Sequence, residues 1–555
     1  MQYPTLLHAF YDHEKNRADE VYLRQPFGEN WEEYTWAEVG QMARQVATYL
    51  HSLGLPPGSH IGLVSKNCRE WVIADLAIML AGHVSVPFFA TLTGEQIYEV
   101  LRLGDVQALF VGKLEVWDDM QTGVPEDMPV IRFPHYTGNS EVKRGKAWAD
   151  VLAENEPLAT NHEPKREDLW TVIFTSGTTG TPKGVMITYG TMTDQAIAIH
   201  GTNPLRLDHG GNNVFFSFLP LNHIAERGVV ECMSIWYAGN ISFTESIERF
   251  VPNLQDVRPT LFFAVPRIWT KLRGGILAKM PEEKLNRLLS IPLLSWFVKR
   301  KITKGLGLDR CRQRITGAAA IPQATKEFFG KLGMPLAEAY GMTENCATSH
   351  MLFPGQDKPG SVGRAQAGCE HRIDPETGEV LMKAPYVMDG YYKDPEKSAE
   401  TVTDGWLHTG DQGRIDDDGY LFLTGRVKDT FKTAKAKFVV PKEIEDKFGD
   451  LADIEQMCLL GLGVPQPVLI VTLSETAVAR PQDAVEAALQ ERLSAVNAKL
   501  PSYKKVAAMV IAKEDFTVEN NLLTPTLKVK RPYVHQRYAA RLPGWSTQSG
   551  VVLTE

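Results

Sequence analysis

Between His60 and Gly112 the chain reads HIGLVS, EWVIADLAIMLAG, VSVPFF, GEQIYEVLRLG and VQALFVG in succession. Strand-length apolar runs alternate there with helix-length patterns, and that rhythm implies βαβ units and parallel sheets. A second alternation follows, through VFFSFLP, the helix around GVVECMSIWYAG, NISFT and PTLFFAVP. After Gly360 the texture changes to short strands broken by Gly and Asp, such as GEVLMKAP and GRIDDDGYLFLTGR, which predicts a small β-rich subdomain over about 360–425. The charged stretch RVKDTFKTAKAKF, with little periodicity, reads as a linker. Beyond it CLLGLG, VLIVTLS, the helix AVEAALQERLSAVNAKL and AAMVIA predict a compact α+β unit. With 555 residues the chain is too long for one core. The expectation is an α/β protein with a large domain over 1–428, built on two βαβ-type sheets plus the β-rich subdomain, and a small α+β domain over 429–555.

Several function classes fall away. Net charge is −8 and no long block of like charge appears, which argues against a nucleic-acid surface. Cys68, Cys232, Cys311, Cys346, Cys369 and Cys458 form no close pair, so neither a zinc knuckle nor a disulfide framework is suggested and a reducing cytoplasm fits best. The amino terminus acquires acidic residues early and lacks an apolar core, unlike a signal peptide. The most apolar stretch, WVIADLAIMLAGHVSVPFFA, carries Asp75, His83 and Pro87 and reads as a buried helix followed by a strand rather than a membrane span. Peripheral contact with the inner face of a membrane stays open.

The chemistry concentrates in a few stretches. TSGTTGTPKG, from Thr175, packs hydroxyls, glycines and Lys183 into one loop, which suits an anion-binding nest of backbone N–H groups. It is not a Walker A loop, because Lys183 is followed by Gly184 rather than Ser or Thr. An ordinary turn has the same composition, and the loop alone does not decide. AYGMTEN offers an aromatic, a glycine, a hydroxyl and a carboxylate. WLHTGD ends an apparent strand at Asp411, GYLFLTGR closes on Arg426, TGAAAIP is a small-residue turn, and LTPTLKVKR places Lys528 among threonines and a proline.

Taken in order, these motifs closely resemble the adenylate-forming superfamily of acyl-CoA synthetases, luciferases and peptide-synthetase adenylation domains. Within it the text is most similar to long-chain acyl-CoA synthetases, through EWVIADLAIMLAGHVSVPFFATLTGEQI, FSFLPLNHIAERGVVE, FFAVPRIWTKL and KAPYVMDGYYKDPEKSAE. The resemblance implies an acid–thiol ligase. A fatty acid of medium or long chain attacks the α-phosphorus of ATP to give an acyl-adenylate and pyrophosphate, and the thiol of CoA then displaces AMP. An acceptor on a carrier protein, or a degenerate acyl- or nucleotide-binding protein, are the alternatives. A homodimer is common among look-alikes.

The same resemblance assigns residues. Thr175, Ser176, Gly177, Thr178, Thr179, Gly180 and Lys183 would wrap the β and γ phosphates, and Glu344 would hold Mg2+. Thr343 would touch the α-phosphate. Tyr340, Gly341 and the turn of Gly317, Ala318 and Ala319 would receive adenine, and Asp411 with Arg426 the ribose. Lys528 is the catalytic lysine, and His223 lies between acyl pocket and nucleotide. Arg227 stands where some long-chain members carry a gating tryptophan, in a segment from Ile224 to Trp236 that would line the acyl tunnel. Asp429 aligns with a hinge about which the carboxyl-terminal domain rotates, a place suited to a charged side chain exposed in both positions. Just beyond it the chain departs from its relatives. Ala434, Lys435, Ala436 and Lys437 replace a glycine-containing run, which removes access to φ > 0 without steric cost and puts the CoA step in question.

Overall fold

The computed structural model describes residues 3–175, 181–356, 358–449, 451–524 and 528–555. The first alternation forms a seven-stranded sheet. Its order is Lys146–Ala147, Val130–Arg132, Val106–Val111, His60–Val64, Val84–Phe88, Leu169–Thr175 and Lys183–Thr188. All neighbours are parallel except the final hairpin, in which Thr175 faces Lys183. The crossovers are helices, among them Arg69–Leu80 and Gly94–Leu103, the second opened by a capping box of Thr93 and Gln96.

The second alternation forms the parallel centre of a fourteen-stranded sheet, with Asn240–Phe243, Val214–Ser217, Leu261–Ala264, Gln313–Thr316 and Ala337–Tyr340 as successive neighbours. The β-rich subdomain is no separate sheet. Antiparallel strands His350–Leu352 and Gly363–Ala365 join it to Ala337–Tyr340, so Tyr420–Arg426, Trp406–Ile415, Glu379–Lys383 and Glu370–Ile373 continue the same hydrogen-bonded array.

The helix Arg69–Leu80 explains how the two sheets pack. It is apolar all round, every residue from Glu70 to Leu80 is buried, and it touches strands of both sheets. Its one acid in mid-helix, Asp75, is fully buried and must be paired. The partner is Arg227, whose Nη2 lies 2.5 Å from Asp75 Oδ1 and whose Nε lies 3.2 Å from Glu231 Oε2. Arg227 Nη1 donates to Thr171 Oγ1 at 2.6 Å, and the guanidinium sits 4.1 Å from the centre of the Trp170 ring. Burial, and then the Asp75 charge, holds Glu231 well above the usual carboxylate range, while the Arg227 guanidinium pulls the other way. Arg227 therefore gates nothing: it is a core residue. The expected helix over GVVECMSIWYAG begins as a π-turn, Arg227–Cys232, before Met233–Trp236.

The carboxyl-terminal residues have their own cores. The supposedly unstructured RVKDTFKTAKAKF holds a two-stranded hairpin, Phe431–Lys432 with Phe438–Val439. Beyond it Ile454–Leu460, Val468–Leu473, Ala508–Ile511 and Val551–Thr554 form a four-stranded sheet. The helix Gln482–Ala498 covers one face through Val485, Leu489, Leu493 and Val496. Among the described residues no helix is long and apolar enough to cross a membrane.

Removing one partner of a buried ion cluster leaves an unpaired charge, which costs about 3–5 kcal/mol. Arg227→Met is expected to lower the urea midpoint of unfolding by that equivalent; an unchanged midpoint would remove the cluster from its role in joining the sheets.

Candidate functional site

The site lies where parallel strands of the large sheet end, the usual place for a ligand crevice in an open α/β sheet. Thr316 faces Glu338 across two neighbouring strands, so Gly317–Ala319 and Tyr340–Gly341 emerge side by side. Both glycines are required by close approach: a Cβ on Gly317 would lie 2.9 Å from the Ala339 carbonyl oxygen, and one on Gly341 2.4 Å from the Ala347 carbonyl carbon. Ala318, at φ +66°, and Ala319 are exposed. Tyr340 Oη donates to Asp411 Oδ2 at 2.6 Å, and Arg426 Nε donates to Asp411 Oδ1 at 3.1 Å. Asp411 does not end its strand as expected. Trp406–Ile415 runs on past it, with Gly410 at φ +72° and a register shift between Gln412 and Gly413 re-aiming the chain.

Thr343 and Glu344 sit, nearly buried, on the short turn Thr343–Asn345. Cys346 and Ala347 follow at φ +52° and +53°, a conformation costing about 1–2 kcal/mol for each non-glycine residue. The surroundings hold the turn in that state: Gln195 Nε2 donates to the Cys346 carbonyl at 3.2 Å, and Ala347 N–H donates to the Met342 carbonyl at 2.9 Å. Tyr391 Oη donates to Glu344 Oε1 at 2.8 Å. Its ring also lies 5.4 Å from Lys183 Nζ, and its backbone bridges Val185 on the Lys183 strand. Desolvation, then the charges of Lys397 and Lys428, lower the pKa of Lys183, although Asp394 and Glu344 pull the other way. The net field at Lys183 is thus that of further cations, which favours an anion there. Thr175 faces Lys183 across the hairpin. Ser176, Gly177, Thr178, Thr179 and Gly180 lie outside the described residues.

His223 opens the short helix Ile224–Glu226, and its Nδ1 accepts from Ala225 N–H at 3.2 Å. That bond leaves Nε2 to carry the proton of the neutral ring. Burial, then the Lys528 ammonium, pushes the His223 pKa down to about 4. The Lys528 N–H donates to Thr524 Oγ1 at 3.1 Å. Desolvation of its ammonium and the Arg426 charge lower its pKa, opposed by Asp411 and Glu344. The Lys528 ammonium thus feels the charges of Arg426, Asp411 and Glu344, and His223 feels that of Lys528.

Asp429 borders this group: its N–H donates to the Arg426 carbonyl at 3.2 Å, and its charge helps raise the Arg426 pKa. It is not a freely exposed side chain: Arg531 Nε approaches its Oδ2 at 3.6 Å, while the same guanidinium binds Glu445 at 2.9 Å and the Leu459 carbonyl at 2.6 Å. Nearby, Ala436 takes φ +55° without being glycine, and Ala434, Lys435, Ala436 and Lys437 are exposed at the hairpin tip. Tyr391 and Arg531 escaped the motif reading, although both lie inside stretches, GYYKDPEKSAE and LKVKR, that it used.

A divalent ion fits Glu344 under one condition. Among the described residues no group of three or more His, Cys, Asp or Glu side chains could hold a metal. Glu344 offers a single hard carboxylate, oriented by Tyr391 through one oxygen. That donor set suits Mg2+ carried in on phosphate oxygens, which supply most of its ligands.

Fold and site together define an adenylate-forming enzyme. The anthranilate CoA ligase AuaEII, solved in complex with anthranoyl-AMP, superposes with a TM-score of 0.78 at 21% identity, over 98% of this chain and 99% of its own. Residues 10–392 match the AMP-binding enzyme family, and the chain belongs to that family. Among relatives in sequence, the long-chain-fatty-acid–CoA ligase ACSBG2 of Xenopus laevis is 28% identical, over 99% of this chain and 84% of its own. Fatty acyl-CoA synthetase A of Dictyostelium discoideum is 30% identical, over 91% and 85%.

Two outcomes follow from this geometry. Removing a like charge favours protonation, so Lys528→Met is expected to raise the His223 pKa from about 4 toward its ordinary 6.5, read by NMR of labelled histidine; no movement would separate the two groups. Ala436→Gly is expected to stabilise the carboxyl-terminal unit by about 1 kcal/mol, because glycine takes φ > 0 without the Cβ cost. An equal or lower melting temperature would show that the turn is unstrained.

Proposed function

We propose that the protein activates a medium- or long-chain fatty acid through an acyl-adenylate and passes the acyl group to CoA, releasing pyrophosphate and then AMP. The observation that carries this reading is the pairing at the strand ends, where Tyr391 orients the Glu344 carboxylate beside Lys183, and Tyr340 and Arg426 hold Asp411. The names of the relatives, fatty acyl-CoA synthetases among them, support the acid and the thiol.

Each residue has a role that its surroundings suit. The exposed faces of Ala318 and Ala319, with Tyr340 beside them, take the adenine ring. Asp411 has both oxygens engaged by protein donors, yet each keeps a lone pair for a ribose hydroxyl. Lys183 and the loop from Thr175 hold the β and γ phosphates, and Thr343 the α-phosphate. Mg2+ at Glu344 supplies charge neutralisation for the phosphate oxygens when bound. The Lys528 ammonium sits where the incoming carboxylate and the α-phosphate meet, and it stabilises the negative charge that shifts between them without giving up its proton. His223, neutral at working pH, offers an Nε2–H donor rather than a second cation.

Transfer to the thiol requires Lys528 to withdraw. We take residues 429–555 as the moving unit and Asp429 as its hinge, with the Ala434–Lys437 turn brought to the cleft in the second state. The absence of glycine from that turn favours one further reading, in which adenylation is retained and a carrier-protein thiol replaces CoA. A reducing cytoplasm suits the six cysteines, which are all unpaired.

The test is purified protein with ATP, Mg2+ and a panel of fatty acids from short to long, following pyrophosphate and AMP with and without CoA. Pyrophosphate with longer acids, and AMP only on addition of CoA, is the expected result. Neither product would overturn the reading, and acyl-adenylate that persists with CoA present would point to the other acceptor. In the same assay Lys528→Ala is expected to cut adenylation by about 10²–10³ while ATP binding is kept; an unchanged pyrophosphate rate would sink that assignment.

A further inference from the structure

The helix Pro292–Gly305, PLLSWFVKRKITKG, has no buried residue. Only Val298 and Ile302 lean on the core beneath it. Leu293 is 77% exposed, Phe297 60%, Trp296 53% and Leu294 42%, with Ile291 at 46% just ahead of the helix. A contiguous apolar surface of that kind on a folded protein marks an interaction site. The helix contains Lys299, Arg300, Lys301 and Lys304 and no acid, on a chain whose net charge is −8.

The two chemistries are sorted along the helix. Leu293, Phe297, Arg300 and Lys304 follow one another at spacings of three and four residues and so share one face. That face is apolar in its first two turns and basic in its last two. Arg300 lies 5.2 Å from the centre of the Trp296 ring, where the two halves meet. Indole rings and long basic side chains are the groups that sit at a membrane–water boundary, and an amphipathic helix of this composition lies in the interface plane. A second copy of the chain fits less well, since this helix has no acid to pair with the Arg300 and Lys304 of another copy.

We propose that Ile291 and the helix Pro292–Gly305 form a docking surface for an anionic lipid bilayer. Leu293, Leu294, Trp296 and Phe297 enter the headgroup boundary, and Arg300, Lys301 and Lys304 meet lipid phosphates. This surface is independent of the catalytic reading, because vesicle binding is measured without turnover.

The experiment is flotation of the full-length protein with phosphatidylcholine vesicles, either pure or containing phosphatidylglycerol. The wild type is expected to bind the anionic vesicles in preference to the neutral ones, and less so at high salt. The triple variant Arg300→Gln, Lys301→Gln, Lys304→Gln is expected to bind them about a hundredfold more weakly, from about 1 kcal/mol per cation. The double variant Leu293→Ser, Phe297→Ser is expected to lose binding while the cations stay in place. All these side chains are exposed, so the melting temperature should hold. Equal binding to both vesicle types, or variants that bind like the wild type, would overturn the proposal. So would a wild type that ignores vesicles but self-associates through this face in sedimentation.

Discussion

One guanidinium holds the large domain together. Arg227 reaches Asp75 on the helix shared by the two sheets, Thr171 and Trp170 on the seven-stranded sheet, and Glu231 one turn further along its own segment. Buried charge of this kind contributes little net stability, but it tolerates few alternative arrangements. The segment it pins continues directly from His223, with the π-turn Arg227–Cys232 widening the helix where the guanidinium enters. Asn67, just beyond the His60–Val64 strand of the same seven-stranded sheet, adds a second clasp: its Nδ2 donates to Ser217 Oγ at 2.8 Å and to the Leu219 carbonyl at 2.6 Å. The loop bearing His223 is thereby tied to the seven-stranded sheet on both sides: Asn67 Oδ1 also accepts from the Leu221 N–H at 3.3 Å.

In front of that loop the site is assembled from strand ends, and Tyr391 is its least visible part. One side chain orients the Glu344 carboxylate, lies beside the Lys183 ammonium and ties its own backbone to the Lys183 strand. The groups assigned to metal and to the terminal phosphates therefore share a mechanical support. The strained turn at Cys346 and Ala347 is held from the opposite side by Gln195, so Glu344 is fixed on two flanks.

Local pattern carried much of this fold. The strands at His60–Val64, Val84–Phe88, Val106–Val111, Val214–Ser217 and Leu261–Ala264 were each legible as apolar runs of the right length, and so were Ile454–Leu460, Val468–Leu473 and Ala508–Ile511 of the carboxyl-terminal sheet, whereas Val551–Thr554 was not read. What local pattern cannot express is pairing between distant segments, which is why the β-rich stretch read as a subdomain rather than as the far half of the large sheet. Asp411 read as a strand end; the register shift that lets the strand continue belongs to its pairing with Tyr420–Arg426. Arg227 was read in place of a tryptophan, since a single arginine in a helical segment does not announce buried acids at positions 75 and 231. The motif residues of the site were legible through resemblance, while Tyr391 and Arg531 act through geometry that no motif names. The turn at Ala434–Lys437 shows the reverse case, a rule about glycine that the chain breaks by accepting a left-handed alanine.

Arg531 lies three residues beyond Lys528, and most of its partners belong to the carboxyl-terminal unit itself. Glu445 and the Leu459 carbonyl hold it at short range, whereas Asp429 is the long contact at 3.6 Å. A rotation about Asp429 would leave the short contacts untouched and alter only the long one. Were the chain to turn at Asp429 as proposed, the joint would behave as a bearing, with a guanidinium held on one side of the pivot to face the carboxylate as it moves.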